Sequence, residues 1–209
     1  MDDAVRALNH QLGNIDLYLL DALLKGYINK EDRVLDAGCG EGRNLVWLLR
    51  QGYDCWGVDT NLLAIAYVQQ LAKQLNPQKS EPQRFQQSGI EQLLFPPEAF
   101  GTIICSAVLH FAESEAHFRQ MFSELSRVLK PGGFLFIRTA TNFGMRNNEI
   151  APLPDTEQVL LPDGSQRFVL REALLHEVMQ RNRLSFKETP KSVLLPKQRS
   201  MGVLMLQKD

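Results

Sequence analysis

The sequence RVLDAGCGEGRN, residues 33–44, decides the fold. A short apolar run ends in Asp36, glycines follow at positions 38, 40 and 42, and apolar residues at helical spacing come next. Glycine allows the backbone to turn sharply and to approach a ligand without a Cβ in the way. The stretch therefore predicts a strand, a tight turn suited to a ligand, and a helix.

A second strand is predicted directly after this unit, and it ends in an acid. The apolar run at residues 55–58 is followed by Asp59, which places a carboxylate at the tip of a strand, where ribose hydroxyls can be bound. A glycine-rich turn and an acid at the ends of two adjacent parallel strands are typical of sites for nucleoside-bearing cofactors. The two features together predict such a cofactor.

The glycine spacing indicates which nucleoside cofactor is bound. Dinucleotide sites use G-x-G-x-x-G, and the third glycine position of that frame is Arg43 in this chain. Asp36 would repel a pyrophosphate, but it suits a cationic partner such as an α-amino group. A dinucleotide-dependent oxidoreductase is therefore the weaker alternative.

Four segments together resemble one family. VLDAGCGEG followed by GVD is similar to the class I S-adenosylmethionine-dependent methyltransferases, and the likeness covers most of residues 33–140. FGTIICSAVLHF at 100–111 resembles that family's fourth strand and the loop after it, and LKPGGFLFIR at 129–138 its turn into the fifth strand. The resemblance implies methyl transfer from S-adenosyl-L-methionine, with S-adenosyl-L-homocysteine as the product.

Alternating strand and helix patterns predict an α/β fold with a parallel sheet between helices. With the resemblance, we expect one domain over residues 1–209, built on a doubly wound, seven-stranded, mostly parallel sheet (the Rossmann-like methyltransferase fold) with an antiparallel last strand. Residues 1–30 are expected to form a helical cap, in which Leu17, Leu20, Leu23 and Leu24 recur at helical spacing. Residues 141–170 are expected to form a lid-like insertion with a hairpin.

The predicted elements can be placed from periodicity and turn residues. Strands are expected at 33–37, 84–87, 102–106, 134–139, 184–189 and 201–207, and a further strand is expected to end at residue 59. Helices are expected at 62–75, along the apolar positions from 118 to 129, and at 171–182.

Composition limits the classes of partner. The chain is 44% hydrophobic and 22% charged with a formal net charge of −1, values of an ordinary globular protein, and no basic stripe favours nucleic acid. We find no signal-peptide pattern and no bilayer-length apolar run. Its three cysteines lack C-x-x-C spacing. We expect a cytoplasmic monomer or homodimer with no metal site, no membrane partner and no nucleic acid partner.

The resemblance implies a cofactor site at the ends of the first four strands. Asp36 would face the amino group of S-adenosylmethionine, and Asp59 would accept hydrogen bonds from both ribose hydroxyls. The glycine turn would pass beneath the methionyl group. Ser88 stands where many family members carry aspartate, a departure that disfavours recognition of adenine by this side chain and leaves contact through the backbone open. The full implied set is Asp36, Gly38, Cys39, Gly40, Gly42, Asn44, Asp59, Thr60, Asn61, Ser88, Gly89, Ile90 and Ser106.

Methyl transfer from a sulfonium requires little catalytic apparatus, because the cofactor carries its own activation. His110 follows the fourth strand, and its ordinary pKa suits a base at neutral pH, so it is the candidate catalytic residue. The alternative is that His110 only packs against the cofactor or caps the helix at Ser114.

The acceptor is expected to be a small molecule, because Phe111, Phe143, Met145 and Phe168 give the acceptor-side segments an aromatic and apolar character. A non-catalytic S-adenosylmethionine-binding protein is the alternative from another class.

A narrower resemblance is to the tellurite-resistance branch of the family. GCGEGRN at 38–44 and MGVLMLQK at 201–208 carry it, and Arg43, Arg138 and Arg146 are candidate clamps for an oxyanion. The segment 191–199 lacks the His-Arg pattern expected in that branch, so we treat this activity as a minor option.

Overall fold

A twisted sheet with helices on both faces organises the chain. The computed structural model describes residues 2–145, 151–195 and 199–209. The strands of the main sheet are β1 (Arg33–Ala37), β2 (Asp54–Asp59), β3 (Phe85–Gln87), β4 (Phe100–Ser106), β5 (Leu129–Thr141), β9 (Leu184–Phe186), β10 (Lys191–Leu195) and β11 (Arg199–Lys208). The helices are α1 (Asp3–Leu12), α2 (Leu17–Leu24), α3 (Val46–Arg50), α4 (Leu62–Leu75), α5 (Glu115–Val128) and α6 (Glu172–Arg181).

The main sheet has the order β10-β11-β5-β4-β1-β2-β3, and β9 also pairs with β11. Strands β1 to β5 are parallel, whereas β11 runs antiparallel to β5. This confirms the predicted fold class. Every residue of β4 is buried, as expected for a central parallel strand covered by helices on both faces.

The outer edge differs from the expected seven strands, because the position beside β11 is shared by two short strands. β9 pairs with residues 206–208 and β10 with residues 199–203 along the same edge, which gives eight strands in total. β10 was not predicted, because none of its residues is buried and KSVLL therefore lacks the apolar alternation of a half-buried strand. β9 ends three residues before the expected residue 189.

Strand β5 follows helix α5 directly and begins five residues before the expected residue 134. Leu129 is already extended and pairs with Phe100, so the helix ends at Val128 and the strand begins one residue later. The buried face of α5 was predicted correctly; it includes Phe118, Phe122 and Leu125.

The N-terminal cap consists of two helices, and the buried face of α2 differs from the prediction. Leu19 and Ala22 are fully buried, whereas Leu17 and Leu24 are exposed. The reason is the position of Asp16, which begins the helix: its side chain is buried and accepts a hydrogen bond from the Tyr18 amide. This anchor sets the rotation of the helix.

Asp16 ties the cap to the core of the domain. Its Oδ2 atom lies 2.8 Å from Nη1 of Arg138 on β5 and accepts a hydrogen bond from the Ser106 hydroxyl at the end of β4. The Asp16 amide donates to Oδ1 of Asn44. One buried carboxylate therefore joins α2 to two central strands.

The insertion is a small three-stranded sheet anchored to the main domain. Its strands are β6 (Ala151–Pro152), β7 (Val159–Leu160) and β8 (Gln166–Arg167), all antiparallel. The hairpin that was predicted within residues 141–170 is present and is formed by β7 and β8. After it, the Phe168 amide donates to the His110 carbonyl, and Leu170 is fully buried. Arg146 lies outside the described residues.

Across residues 2–145, 151–195 and 199–209, no helix has the length and apolar character that are needed to cross a bilayer.

We predict that Asp16→Ala lowers the free energy of unfolding by about 3 kcal/mol, because it removes a helix cap and leaves Arg138 without its buried partner. Urea denaturation measures the change. The matched control is Asp2→Ala, which removes the cap of α1, a helix that buries no side chain. Equal and small losses in both variants would contradict the anchoring role of Asp16.

Candidate active site

The carboxyl ends of β1, β2 and β4 meet at one edge of the sheet, above a cavity of about 470 Å³. Parallel register produces this meeting, since Ala37 pairs with Val58 and Asp36 with Ile104. Six residues of the predicted cofactor set line the cavity: Gly38, Asp59, Thr60, Ser88, Ile90 and Ser106. Its other wall residues are Glu91, Ala107, Val108, Phe111, Glu113, His117 and Met121.

The glycine turn is tied to the neighbouring strand by its own backbone. The amides of Gly38 and Cys39 both donate to the Val58 carbonyl, at 2.8 and 2.9 Å. Gly38 has a φ of +81°, and a Cβ there would lie 2.3 Å from a methyl group of Val108, so only glycine fits. The turn is therefore held in place before any ligand arrives.

Asp59 has the geometry of a preorganised acceptor. Its Oδ2 accepts a hydrogen bond from the Gly40 amide at 2.8 Å, and its Oδ1 accepts one from the Asn61 amide at 2.9 Å. A carboxylate oxygen has two lone pairs, so each oxygen keeps capacity for a further donor. Asp59 also lines the cavity, so it is placed to accept hydrogen bonds from a bound molecule.

Asp36 is buried and has no compensating partner. It is 1% exposed, and neither carboxylate oxygen accepts a hydrogen bond from any residue that the structure describes. Burial raises the pKa of the Asp36 carboxyl to about 7; Arg43 opposes this rise and the negative charge of Asp59 adds to it. A buried, unpaired carboxylate is unfavourable in its charged form, and a cation bound beside it would stabilise that form.

Several predicted residues use their side chains inside the protein. Oδ1 of Asn61 accepts from the amides of Leu63 and Ala64 and so caps α4, and Asn44 holds the Asp16 amide. The Ser88 hydroxyl donates to the carbonyls of Gly89 and Gln92.

Five residues of the predicted cofactor set do not line the cavity: Asp36 lies on β1, and Cys39, Gly40, Gly42 and Gly89 lie in the loops after β1 and β3. The side chain of Cys39 is buried. Asn44 and Asn61 are also absent from the cavity wall.

His110 is part of a second, smaller cavity and not of the first. It lies on the short 3-10 turn Leu109–Phe111, is 7% exposed, and packs against Phe111 with 4.6 Å between the ring centroids. Burial, aided by the positive charges of Arg167, Arg199 and Arg138, lowers the pKa of His110 to about 4. The expectation of a base titrating near neutral pH is therefore corrected: the tertiary neighbours keep this ring neutral.

The second cavity, of about 220 Å³, contains residues that sequence reasoning missed. Arg138, Arg167 and Arg199 line it together with His110, and Ala107 and Phe111 are shared with the larger cavity. Of these arginines only Arg138 was a candidate from the sequence. Arg167 and Arg199 come from the insertion and from β11, and no motif marks them. In the described part of the chain, no cluster of His, Cys, Asp and Glu side chains could hold a metal ion.

Comparison with known proteins gives the family. The sequence profile of the methyltransferase domain family matches residues 35–137. This match, together with the relatives and the solved structure described below, supports a class I S-adenosylmethionine-dependent methyltransferase domain in this part of the chain. This decides against the dinucleotide-dependent alternative, whereas the matches do not single out the tellurite-resistance branch.

Relatives and solved structures agree with this assignment. A protein of Geobacillus sp. (strain WCH70) named as a methyltransferase is 34% identical over 115 residues, 54% of this chain and 44% of the relative. The tRNA U34 carboxymethyltransferase of Hydrogenovibrio crunogenus is 36% identical over 113 residues, 53% of this chain and 32% of that protein. The chain therefore spans less than half the length of these curated relatives.

A crystal structure from Methanosarcina mazei, described as a SAM-dependent methyltransferase, is similar in fold. Its TM-score is 0.68 at 21% identity, and the alignment covers 89% of this chain and 96% of that one.

We predict that His110 titrates near pH 4. Because its pKa is lowered from the ordinary 6.5, the unfolded chain binds more protons between these values, and the contribution of His110 to stability is lost as the pH falls from about 6.5 to about 4. NMR titration of histidine-labelled protein measures the pKa, with His110→Gln to assign the signal. A His110 pKa near 6.5 would contradict the burial and charge environment described above.

Proposed function

We propose that this chain transfers a methyl group from S-adenosyl-L-methionine to a small-molecule acceptor and releases S-adenosyl-L-homocysteine. The observation that carries the proposal is the pair of acids at the ends of β1 and β2. Asp36 is a buried carboxylate without a partner, and Asp59 is a fixed carboxylate on the cavity wall. The proposed cofactor offers a group for each, namely a cationic α-amino group and a pair of ribose hydroxyls.

The remaining cofactor contacts follow from the loops around the cavity. The amides of Gly38, Cys39, Gly40 and Gly42 already donate to acceptors within the protein, which leaves the Glu41 amide as the candidate donor of this turn to the methionyl carboxylate. The Ser106 hydroxyl is directed to Asp16, so we assign Ser106 to the cavity floor.

We propose that backbone amides, rather than a side chain, contact the adenine. The Ser88 hydroxyl and amide are both engaged within the protein, which leaves the next two amides, of Gly89 and Ile90, as candidates. Thr60 lines the same end of the cavity.

The chemistry asks little of the protein beyond orientation. When bound, S-adenosylmethionine supplies a methyl group activated by its sulfonium, so the protein must mainly align the acceptor. We propose that His110 contacts the acceptor as a neutral ring that accepts a hydrogen bond. A pKa of about 4 makes it a poor proton acceptor, so acceptors that must lose a proton would need to be acidic themselves.

The size of the second cavity supports a small acceptor. Its volume of about 220 Å³ is below the roughly 300 Å³ at which pockets for drug-sized ligands begin. A net charge of −1 gives no general attraction for a nucleic acid backbone. Methylation of tRNA in place of small molecules would overturn this part of the proposal.

The cap and the insertion are proposed to complete the acceptor side. Asp16 of the cap holds Ser106 and Arg138, and the insertion contributes Leu161, Ser165 and Arg167 to the second cavity. A lid-like role for residues 141–170, a single-domain organisation and a monomeric or dimeric state stay predictions.

We predict that S-adenosylhomocysteine raises the unfolding temperature of the wild type, whereas NADH does not. At a hundred times its dissociation constant a ligand stabilises the native state by about 2.7 kcal/mol, which a thermal shift detects. Asp59→Ala should largely abolish the shift. Asp32→Ala is the control, since Asp32 pairs with Lys130 just before β1, away from the cavity. A shift with NADH alone would refute the proposal, and binding without turnover on any acceptor would support a non-catalytic protein.

We predict opposite effects of Asp36→Asn on stability and on binding. At pH 8 the substitution removes a buried, uncompensated charge, so the free energy of unfolding should rise by about 1–3 kcal/mol. The affinity for S-adenosylhomocysteine should fall about tenfold or more, because the amino group loses its ionic partner. Chemical denaturation and calorimetry measure the two quantities. Unchanged affinity would refute the role of Asp36.

A further inference from the structure

The charged residues that line the second cavity are all positive. We name it the arginine cavity after Arg138, Arg167 and Arg199, which line it. Its other walls are largely apolar and include Ala140, Leu161 and Met201. No carboxylate lines it among the residues that the structure describes, so a bound molecule would meet guanidinium groups and hydrocarbon.

The carboxylates near these arginines do not fully neutralise them. Arg138 is paired with Asp16, but its buried Nε has no hydrogen-bond partner in the described chain. Arg199 lies 3.3 Å from Asp163, and its side chain is 47% exposed.

Arg167 has the least compensation of the three. It lies over the Phe111 ring at 4.8 Å and donates to the neighbouring Gln166 carbonyl, with no carboxylate within ion-pair distance in the described residues. The cavity therefore has an excess of positive charge.

The three arginines converge although they come from distant parts of the chain. Arg138 lies on β5, Arg167 on β8 of the insertion, and Arg199 at the start of β11. All three line the same cavity as His110, so their charges surround one space. Three like charges repel each other, and a cluster of this kind is stabilised when an anion binds among them.

The arginine cavity adjoins the proposed cofactor cavity, because Ala107 and Phe111 line both. A molecule in the arginine cavity would therefore lie beside the proposed site of methyl transfer. Arginine is well suited to planar, bidentate contact with carboxylate or phosphate oxygens.

We propose that the methyl acceptor is an organic anion, whose carboxylate or phosphate is bound by Arg167, Arg199 and Arg138. This inference rests on the proposed methyl transfer and gives its substrate class. The anionic group is held at the arginines, the hydrocarbon part lies along Leu161 and Met201, and the nucleophile is turned toward the cofactor cavity. Arg167 and Arg199 select the acceptor, and Arg138 is positioned through Asp16.

The test uses protein saturated with S-adenosylhomocysteine and three probes: benzoate, phenyl phosphate and neutral benzamide. Calorimetric titration should show binding of at least one anion and markedly weaker binding of benzamide. Arg167→Gln and Arg199→Gln should each weaken anion binding about tenfold, whereas Arg167→Lys should retain part of it. Benzoate and phenyl phosphate distinguish a carboxylate from a phosphate as the favoured group.

The matched control is Arg181→Gln, an exposed arginine on α6 that pairs with Glu177. It should leave anion binding unchanged, and none of the variants should alter the affinity for S-adenosylhomocysteine. If neither anion binds the saturated wild type, or if both bind the Arg167→Gln and Arg199→Gln variants equally well, the inference is overturned while the methyl-transfer proposal stands. If S-adenosylhomocysteine itself fails to bind, the methyl-transfer proposal has failed first.

Discussion

The hydrogen bond from the Gly40 amide to the Asp59 carboxylate is the constraint on which the site depends. It joins the turn after β1 to the tip of β2, and the Val58 carbonyl reinforces it by accepting from Gly38 and Cys39. Parallel pairing of the two strands brings these groups to one level. The turn and the acid that we propose to bind the cofactor are thus joined by hydrogen bonds of the protein itself.

The same unit contains an unfavourable element. Asp36 is buried directly before the turn, and no described residue donates a hydrogen bond to it. Its negative charge therefore lowers the stability of the folded state at neutral and higher pH. Binding sites commonly sacrifice stability in this way, because the ligand supplies the missing partner. On this account the cationic amino group of the cofactor neutralises the Asp36 carboxylate. A dinucleotide lacks such a group at this position.

Features that depend on short-range residue spacing could be predicted from the sequence. The β1 turn, the end of β2 at Asp59 and the apolar face of α5 all follow from short-range spacing, and the structure has them where expected. The environment of His110 was not predictable, because its pKa is lowered by burial and by the charges of Arg167 and Arg199, and both causes arise only through tertiary folding. Asp16 was missed for the same reason: its partners lie on two distant strands. The charged residues around the proposed acceptor site could therefore be identified only from the structure.

Proton release on cofactor binding tests the central claim most directly. At pH 6 the Asp36 carboxyl, with a pKa of about 7, is largely protonated, and a bound ammonium group should ionise it. Calorimetric titration of S-adenosylhomocysteine in two buffers of different ionisation enthalpy counts the protons exchanged. The account predicts release approaching one proton per site in the wild type and none in Asp36→Asn. Binding with no proton release in the wild type would contradict it.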